Sequence, residues 1–208
     1  LRRYQDDEYT IIDESTQRNL EIDRNLQDGN RSFSLLEVLD HTLTAMGARL
    51  LRQWLLRPLR SPAAVTRRLD AVEDLYRDQR LLEKLRGLLG NCLDLERLAS
   101  RTAMDKAHAK DLLALRDSID IVLGVDALLA GEVPKAPELD MGLDGGTKTE
   151  LGEISALLSR AIADDPSILL TEGNLIRAGF DPELDKLRTL RDSSRGVLES
   201  YLEKERAA

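Results

Sequence analysis

Aromatic side chains are scarce in this chain: Trp54, Phe33, Phe180 and four tyrosines make up 3% of 208 residues. Sheets rely on aromatic and β-branched residues to cover their pleated faces, so an all-β sandwich is excluded as the expected class. Cysteine is scarcer still. Cys92 is the only one, which rules out an internal disulfide and fits a reducing, cytoplasmic setting. Its expected part is that of a small apolar core residue. No apolar run approaches the ~20 residues that cross a bilayer, and no basic stretch leads into an apolar run as a secretory signal would, so no membrane partner is expected. Positive charge is in deficit: 30 basic against 38 acidic residues leave −8, and any contact with a polyanion has to be local.

What is present is leucine, with 42% hydrophobic and 33% charged residues, the balance of a globular helical protein. The length allows one large domain or two small helical subdomains. The expected class is mainly α: an irregular multi-helix core with a short strand near the N-terminus and a long C-terminal helix. Residues 1–130 read as a helical core subdomain, 131–149 as a linker and 150–208 as a further helical segment whose final arm occupies 182–208. The chain starts at Leu1 rather than Met and ends in Glu203-Lys204-Glu205-Arg206 with no glycine cap, so a piece of a longer protein is expected.

The β-branched run at 9–12 predicts the one strand. Ser34 followed by Glu37 has the spacing of a capping box and predicts a helix start. A second helix is expected over 45–57, with Met46, Leu50, Leu51, Trp54 and Leu55 on one apolar face and Pro58 ending it. Ser61-Pro62 reads as an N-cap with proline at the first helical position, ahead of a face made by Val65, Leu69, Val72 and Tyr76. Leucines 81, 82, 85, 88 and 89 form a seam that ends near Gly90, and Asp94 starts the next helix. A longer helix carries Leu112, Leu115, Ile119 and Val122. Prolines 134 and 137 and glycines 142, 145 and 146 break the pattern and mark the linker. Leu151, Ile154, Leu158 and Ile162 restore a helix, a short β-like stretch covers 169–176, and Asp181-Pro182 opens a final helix of about 25 residues, roughly 37 Å. Its apolar positions are Leu184, Leu187, Val197, Leu198, Tyr201 and Leu202, and so long a strut needs neighbours to be stable.

Chemistry is thinly represented. Residues 142–149, Gly-Leu-Asp-Gly-Gly-Thr-Lys-Thr, have the length, lysine and final threonine of a phosphate loop, but the second required glycine is Thr147 and no strand precedes it; a linker before a helix is the preferred reading. His41 and His108 lack the spacing of a zinc site. The acid pairs Asp6-Asp7-Glu8, Asp13-Glu14 and Asp164-Asp165 sit at element ends, where acids cap helices. Between 45 and 69 there are six arginines (Arg49, Arg52, Arg57, Arg60, Arg67, Arg68) and no acid, which invites a DNA hypothesis. Without interleaved aromatics for base stacking, a solvated or internally ion-paired face is favoured. Met46 and Trp54 are expected to pack in the core.

Four stretches carry a resemblance. They are Thr16-Gln17-Arg18-Asn19-Leu20-Glu21-Ile22; Leu39-Asp40, Thr42, Thr44, Met46-Gly47, Arg49-Leu50-Leu51-Arg52, Trp54-Leu55 and Pro58-Leu59; Asp94-Leu95-Glu96-Arg97; and Glu172 to Arg177 running into Gly179-Phe180-Asp181-Pro182-Glu183-Leu184-Asp185. In this order they resemble the core, or lever, domain of the MutS DNA mismatch-repair family. As local structure, Thr42 or Thr44 caps a helix, Gly47 permits close helix approach and Pro58 turns the chain. Gly173 and Gly179 bracket a turn that places the helix capped by Asp181-Pro182. Arg49 and Trp54 belong to the same structural set.

The resemblance implies a non-catalytic lever that links mismatched-DNA binding and a clamp to an ATPase part. It further implies a parent protein that uses ATP and Mg²⁺, forms a homodimer and works with a MutL-like partner. No cofactor or catalytic residue is expected within this chain, because neither a Phe-x-Glu mismatch-reading motif nor a true phosphate loop is present. By itself it is expected to be monomeric, to hydrolyse no ATP and to show no mismatch preference. A stand-alone helical interaction module and the lever of a recombination-type paralogue remain open as alternatives.

Overall fold

Short polar side chains ahead of apolar runs set where the helices begin. The computed structural model describes residues 8–131 and 136–207, and their side chains apart from 170, 195 and 197–207. Its α-helices are α1 (Glu14–Asn19), α2 (Leu35–Leu39), α3 (Ala45–Leu56), α4 (Pro62–Arg77), α5 (Gln79–Leu89), α6 (Leu95–Ala103), α7 (Ala109–Ala130), α8 (Gly145–Ala161) and α9 (Pro182–Ala207). Two short 3₁₀ turns, Pro137–Leu139 and Leu170–Glu172, lie between them.

The expected caps are in place. Ser34 Oγ accepts the Glu37 N–H at 3.2 Å, while the Glu37 carboxylate takes the N–H of Phe33, one residue outside the usual capping box. Ser61 caps α4 with Pro62 at its first position, and Asp94 caps α6. Pro58 stops α3 at Leu56, and Gly90 follows the last residue of α5.

The centre of the fold is α7, which packs against α5, α6 and α8. A helix contacted on several sides has to be apolar nearly all round, and the run of Leu, Ile and Val in α7 meets that need. Leu81, Leu85 and Val125 form the core between α5 and α7, flanked by Leu75, Leu88, Leu89, Ile121, Leu128 and Leu129. The α7–α8 pair is an antiparallel hairpin. Three contacts fix its register: Lys148 to Asp126 at 2.6 Å, Ser155 Oγ to Asp120 at 2.6 Å, and Lys110 to Asp165 at 3.7 Å.

Four expectations are corrected here. The strand at 9–12 is absent; a single antiparallel bridge joins Tyr9 to Leu59, and Thr10 donates its N–H to the Pro58 carbonyl at 2.8 Å. The β-like stretch at 169–176 holds a 3₁₀ turn and one bridge, Ile162 to Ile176, so no strand occurs among the described residues. An isolated β-branched run finds no partner long enough to make a ladder. The 131–149 stretch is helical from Gly145 onward, because the Asp144 carboxylate accepts the Thr147 N–H at 2.7 Å and starts α8 there. Finally, the stripe of Val65, Leu69, Val72 and Tyr76 on α4 faces solvent, with Leu69 58% and Tyr76 75% exposed. The opposite side of α4 does the packing: Ala71 is buried, Leu75 joins the core, and Asp74 and Arg67 hold the 136–138 segment.

Among the described residues α9 shares no extensive face with another helix. Its apolar positions Leu187 and Leu190 are exposed, and the expected side chains at 197, 198, 201 and 202 lie outside the described ones. No helix among the described residues is long and apolar enough to cross a membrane.

Candidate functional site

Two clusters gather the residues singled out by the sequence. The first surrounds the start and one face of α3. Thr44, not Thr42, is the cap: its Oγ1 accepts the Gly47 N–H at 3.0 Å. Thr42 instead turns back on Asp40, donating both its hydroxyl at 2.5 Å and its N–H at 3.1 Å. Those bonds, and then the guanidinium of Arg31, hold the Asp40 carboxyl below the usual carboxylate range.

Gly47 has a different reason from the one expected. A Cβ there would stand 3.0 Å from Thr44 Oγ1, so the glycine makes room for the cap of its own helix rather than for a neighbouring helix. Arg49 points across to α6, donating to both oxygens of Asp94 at 2.7 and 2.9 Å and also pairing with Glu96. Met46 is half-buried. Trp54 is 40% exposed rather than enclosed in the core, and the Arg68 guanidinium lies 3.9 Å from its ring centroid. Pro58 both ends α3 and offers its carbonyl to Thr10.

The second cluster is the junction between α8 and α9. Ala163 donates to the Leu175 carbonyl at 3.0 Å and Arg177 to the Ala161 carbonyl at 2.8 Å, so the two ends of the connecting segment are laced together. Gly173 and Gly179, with φ of 73° and 84°, supply the left-handed turns that fold it back. Asp181 then accepts the N–H groups of Glu183 at 2.8 Å and Leu184 at 3.3 Å, and Pro182 opens α9. Arg177 and Asp185 of the resemblance stretch, with Arg188, which the sequence reading did not single out, complete the junction. Arg177 pairs with Asp164 at 2.5 Å, Asp185 accepts the Gly179 N–H at 2.7 Å, and Arg188 bonds both Asp185 at 3.0 Å and the Ile176 carbonyl at 2.7 Å. The i, i+3 spacing of Asp185 and Arg188 is a sequence signal for their pairing; the carbonyl partner is not.

The remaining candidates resolve into structural roles. The phosphate-loop look-alike does not fit a nucleotide phosphate: the Asp144 carboxylate already occupies the helix N-terminus, and Lys148 is committed to Asp126. His108 sits at the N-cap of α7 and donates its N–H to Asp111 at 2.9 Å, while His41 is exposed. Among the described residues no three His, Cys, Asp or Glu side chains could hold a metal ion. Asp13 caps α1, with the Ser15 and Thr16 hydroxyls keeping its carboxyl well below the ordinary range. Asp164 and Asp165 are ion-pair partners rather than caps; Asp6 and Asp7 lie outside the described residues. The arginine-rich stretch is largely satisfied from within: Arg49 by Asp94 and Glu96, Arg52 by Asp23 at 2.6 Å, Arg67 by Glu138 at 2.8 Å, and Arg68 by the Trp54 ring.

A helical body built on one central helix, polar clusters that fasten helices to one another, and a long helix leaving at one end define an all-α architectural domain. Residues 15–207 match the family described as MutS domain III, and the chain belongs to that family. DNA mismatch repair protein MutS from Treponema pallidum (strain Nichols) is 41% identical over 206 residues, covering 99% of this chain and 23% of its own length. The protein of the same name from Methanosarcina barkeri is 37% identical over 206 residues with the same two shares. That from Symbiobacterium thermophilum is 41% identical over 191 residues, which is 91% of this chain and 21% of its own. The chain therefore spans less than a quarter of the length of these curated relatives.

Proposed function

We propose that this domain is the non-catalytic core and lever of a larger mismatch-repair ATPase, carrying the state of the DNA-binding and clamp parts to the ATPase part. The observation that supports it is α9: 26 residues of helix, about 39 Å, leaving a packed body through a single junction. A helix of that length moves as a rigid body, so a small rotation at its base becomes a large displacement at its tip. In this reading ATP, Mg²⁺, mismatched duplex DNA, a MutL-like partner and the dimer contact all belong to other parts of the parent protein, in the cytoplasm. The name shared by the relatives supports mismatch repair over a recombination paralogue.

The test is a break in α9. Ser193→Pro in the full-length protein removes a helix hydrogen bond and costs about 3 kcal/mol locally. The expected outcome is unchanged basal ATP hydrolysis with loss of its response to mismatched DNA. A variant that still distinguishes mismatched from matched duplex in its ATPase rate would overturn the proposal.

A further inference from the structure

Among the described residues α9 shares no extensive face with another helix, so the contacts that set its direction there lie at its base. We propose that Arg188, held by Asp185, is the pin that fixes α9 to the connector from α8, and so acts as a positioning residue for the whole arm. The Asp185 carboxylate takes the Gly179 N–H with one oxygen at 2.7 Å and Arg188 Nη1 with the other at 3.0 Å, while Arg188 Nη2 reaches the Ile176 carbonyl at 2.7 Å. These bonds are partly shielded: the Arg188 side chain is 27% exposed and that of Asp185 33%.

Ile176 is itself anchored to the end of α8 by its bridge to Ile162, and the Arg177 Nε bonds the Ile162 carbonyl at 3.3 Å. Hydrogen bonds thus run from the end of α8 to Leu175 and Arg177, which flank Ile176, and from Ile176 to Arg188 on α9. The turns at Gly173 and Gly179 are themselves loosely surrounded, since a Cβ at either would meet no atom within 4 Å. Beside the pin lies an open cleft of about 790 Å³, lined by Leu184 and Arg188 of α9 and by Asn174 and Leu175 across from it. It is the space through which a loosened α9 would tilt. Without Arg188, the Ile176 carbonyl loses a donor and Asp185 a counter-charge, and the base of α9 keeps the Asp181 caps and the bond from Gly179 to Asp185.

The pin stands on this geometry alone; its consequence for coupling rests on the lever reading above. The experiment places spin labels at Glu153→Cys on α8 and Ser194→Cys on α9 in the full-length protein, on a background without other reactive cysteines, and measures the distance distribution between them. A tilt of about 10° moves Ser194, roughly 18 Å along the helix from Pro182, by about 3 Å. Arg188→Ala is expected to widen the distribution by that amount, and Arg188→Lys to give an intermediate width, since an ammonium cannot hold both acceptors in a planar fork. Arg191→Ala should keep the parental width, because among the described residues Arg191 bonds its neighbour Asp192, at 2.9 Å, and not the connector.

A parental width in Arg188→Ala overturns the pin. If that variant loses its helical circular dichroism, Arg188→Lys decides: intermediate width supports the pin and parental width overturns it. The mismatch response of the ATPase, read in the same variants, separates the two claims. A widened distribution with an intact response keeps the pin and overturns the lever reading.

Discussion

Arg49 grips both carboxylate oxygens of Asp94, at 2.7 and 2.9 Å, across 45 residues of sequence. The same carboxylate accepts the N–H of Arg97 at 3.3 Å and so caps α6. One side chain therefore begins a helix and ties it to α3, which carries most of the recognisable motif.

That double role makes Asp94 sensitive to acid. Hydrogen bonds from Arg49, and then from the Arg97 N–H, hold its pKa down at about 2 against an ordinary 3.8. Because the folded value lies below the unfolded one, the stabilisation is complete above the ordinary value and is lost as pH falls through about 2. Denaturant midpoints taken at about pH 6 and pH 2.5 should therefore drop further in the parent than in Asp94→Asn. Equal drops in the two proteins would mean that the pair contributes nothing to the acid limb.

Two helical glycines should respond differently to alanine. Gly152 in α8 has open space where a Cβ would go, so Gly152→Ala is expected to stabilise by about 0.5–1 kcal/mol. At Gly47 the added methyl would press on the Thr44 hydroxyl, and loss of that cap costs about 1 kcal/mol, cancelling the gain. Thermal melts of the two variants check this; an equal rise in both would show that the cap at Thr44 yields freely.

Leucines of equal standing in the sequence should differ several-fold in cost. Leu81 is 1% exposed at the centre of the core, and Leu81→Ala is expected to lose about 2–5 kcal/mol. Leu69 is the middle of an equally regular stripe but faces solvent, so Leu69→Ala should cost under about 1 kcal/mol in this domain. Urea denaturation of both variants measures the contrast. A large loss at Leu69 would place a partner for α4 inside this chain.

How much was legible follows the range over which each cause acts. Ser61-Pro62, Asp94 and Asp181-Pro182 were readable as helix starts because capping involves residues two or three apart, and Pro58 as a stop because it acts on its own turn. The family resemblance was readable for the same reason: its motif residues include caps, stops and turns. The junction was only half visible, since Asp185 and Arg188 lie close in sequence but the Ile176 carbonyl is 12 residues from Arg188.

By itself, then, the sequence determined a helical chain, the places where most of its helices start and stop, and its family. Tertiary structure decided which apolar faces meet. A helical period marks a face as apolar but does not name its partner, so the stripes of α4 and α5 look alike until α7 covers one and leaves the other in solvent. It likewise decided where the arginines of α3 and α4 go, because an ion pair between distant residues leaves no trace in local spacing.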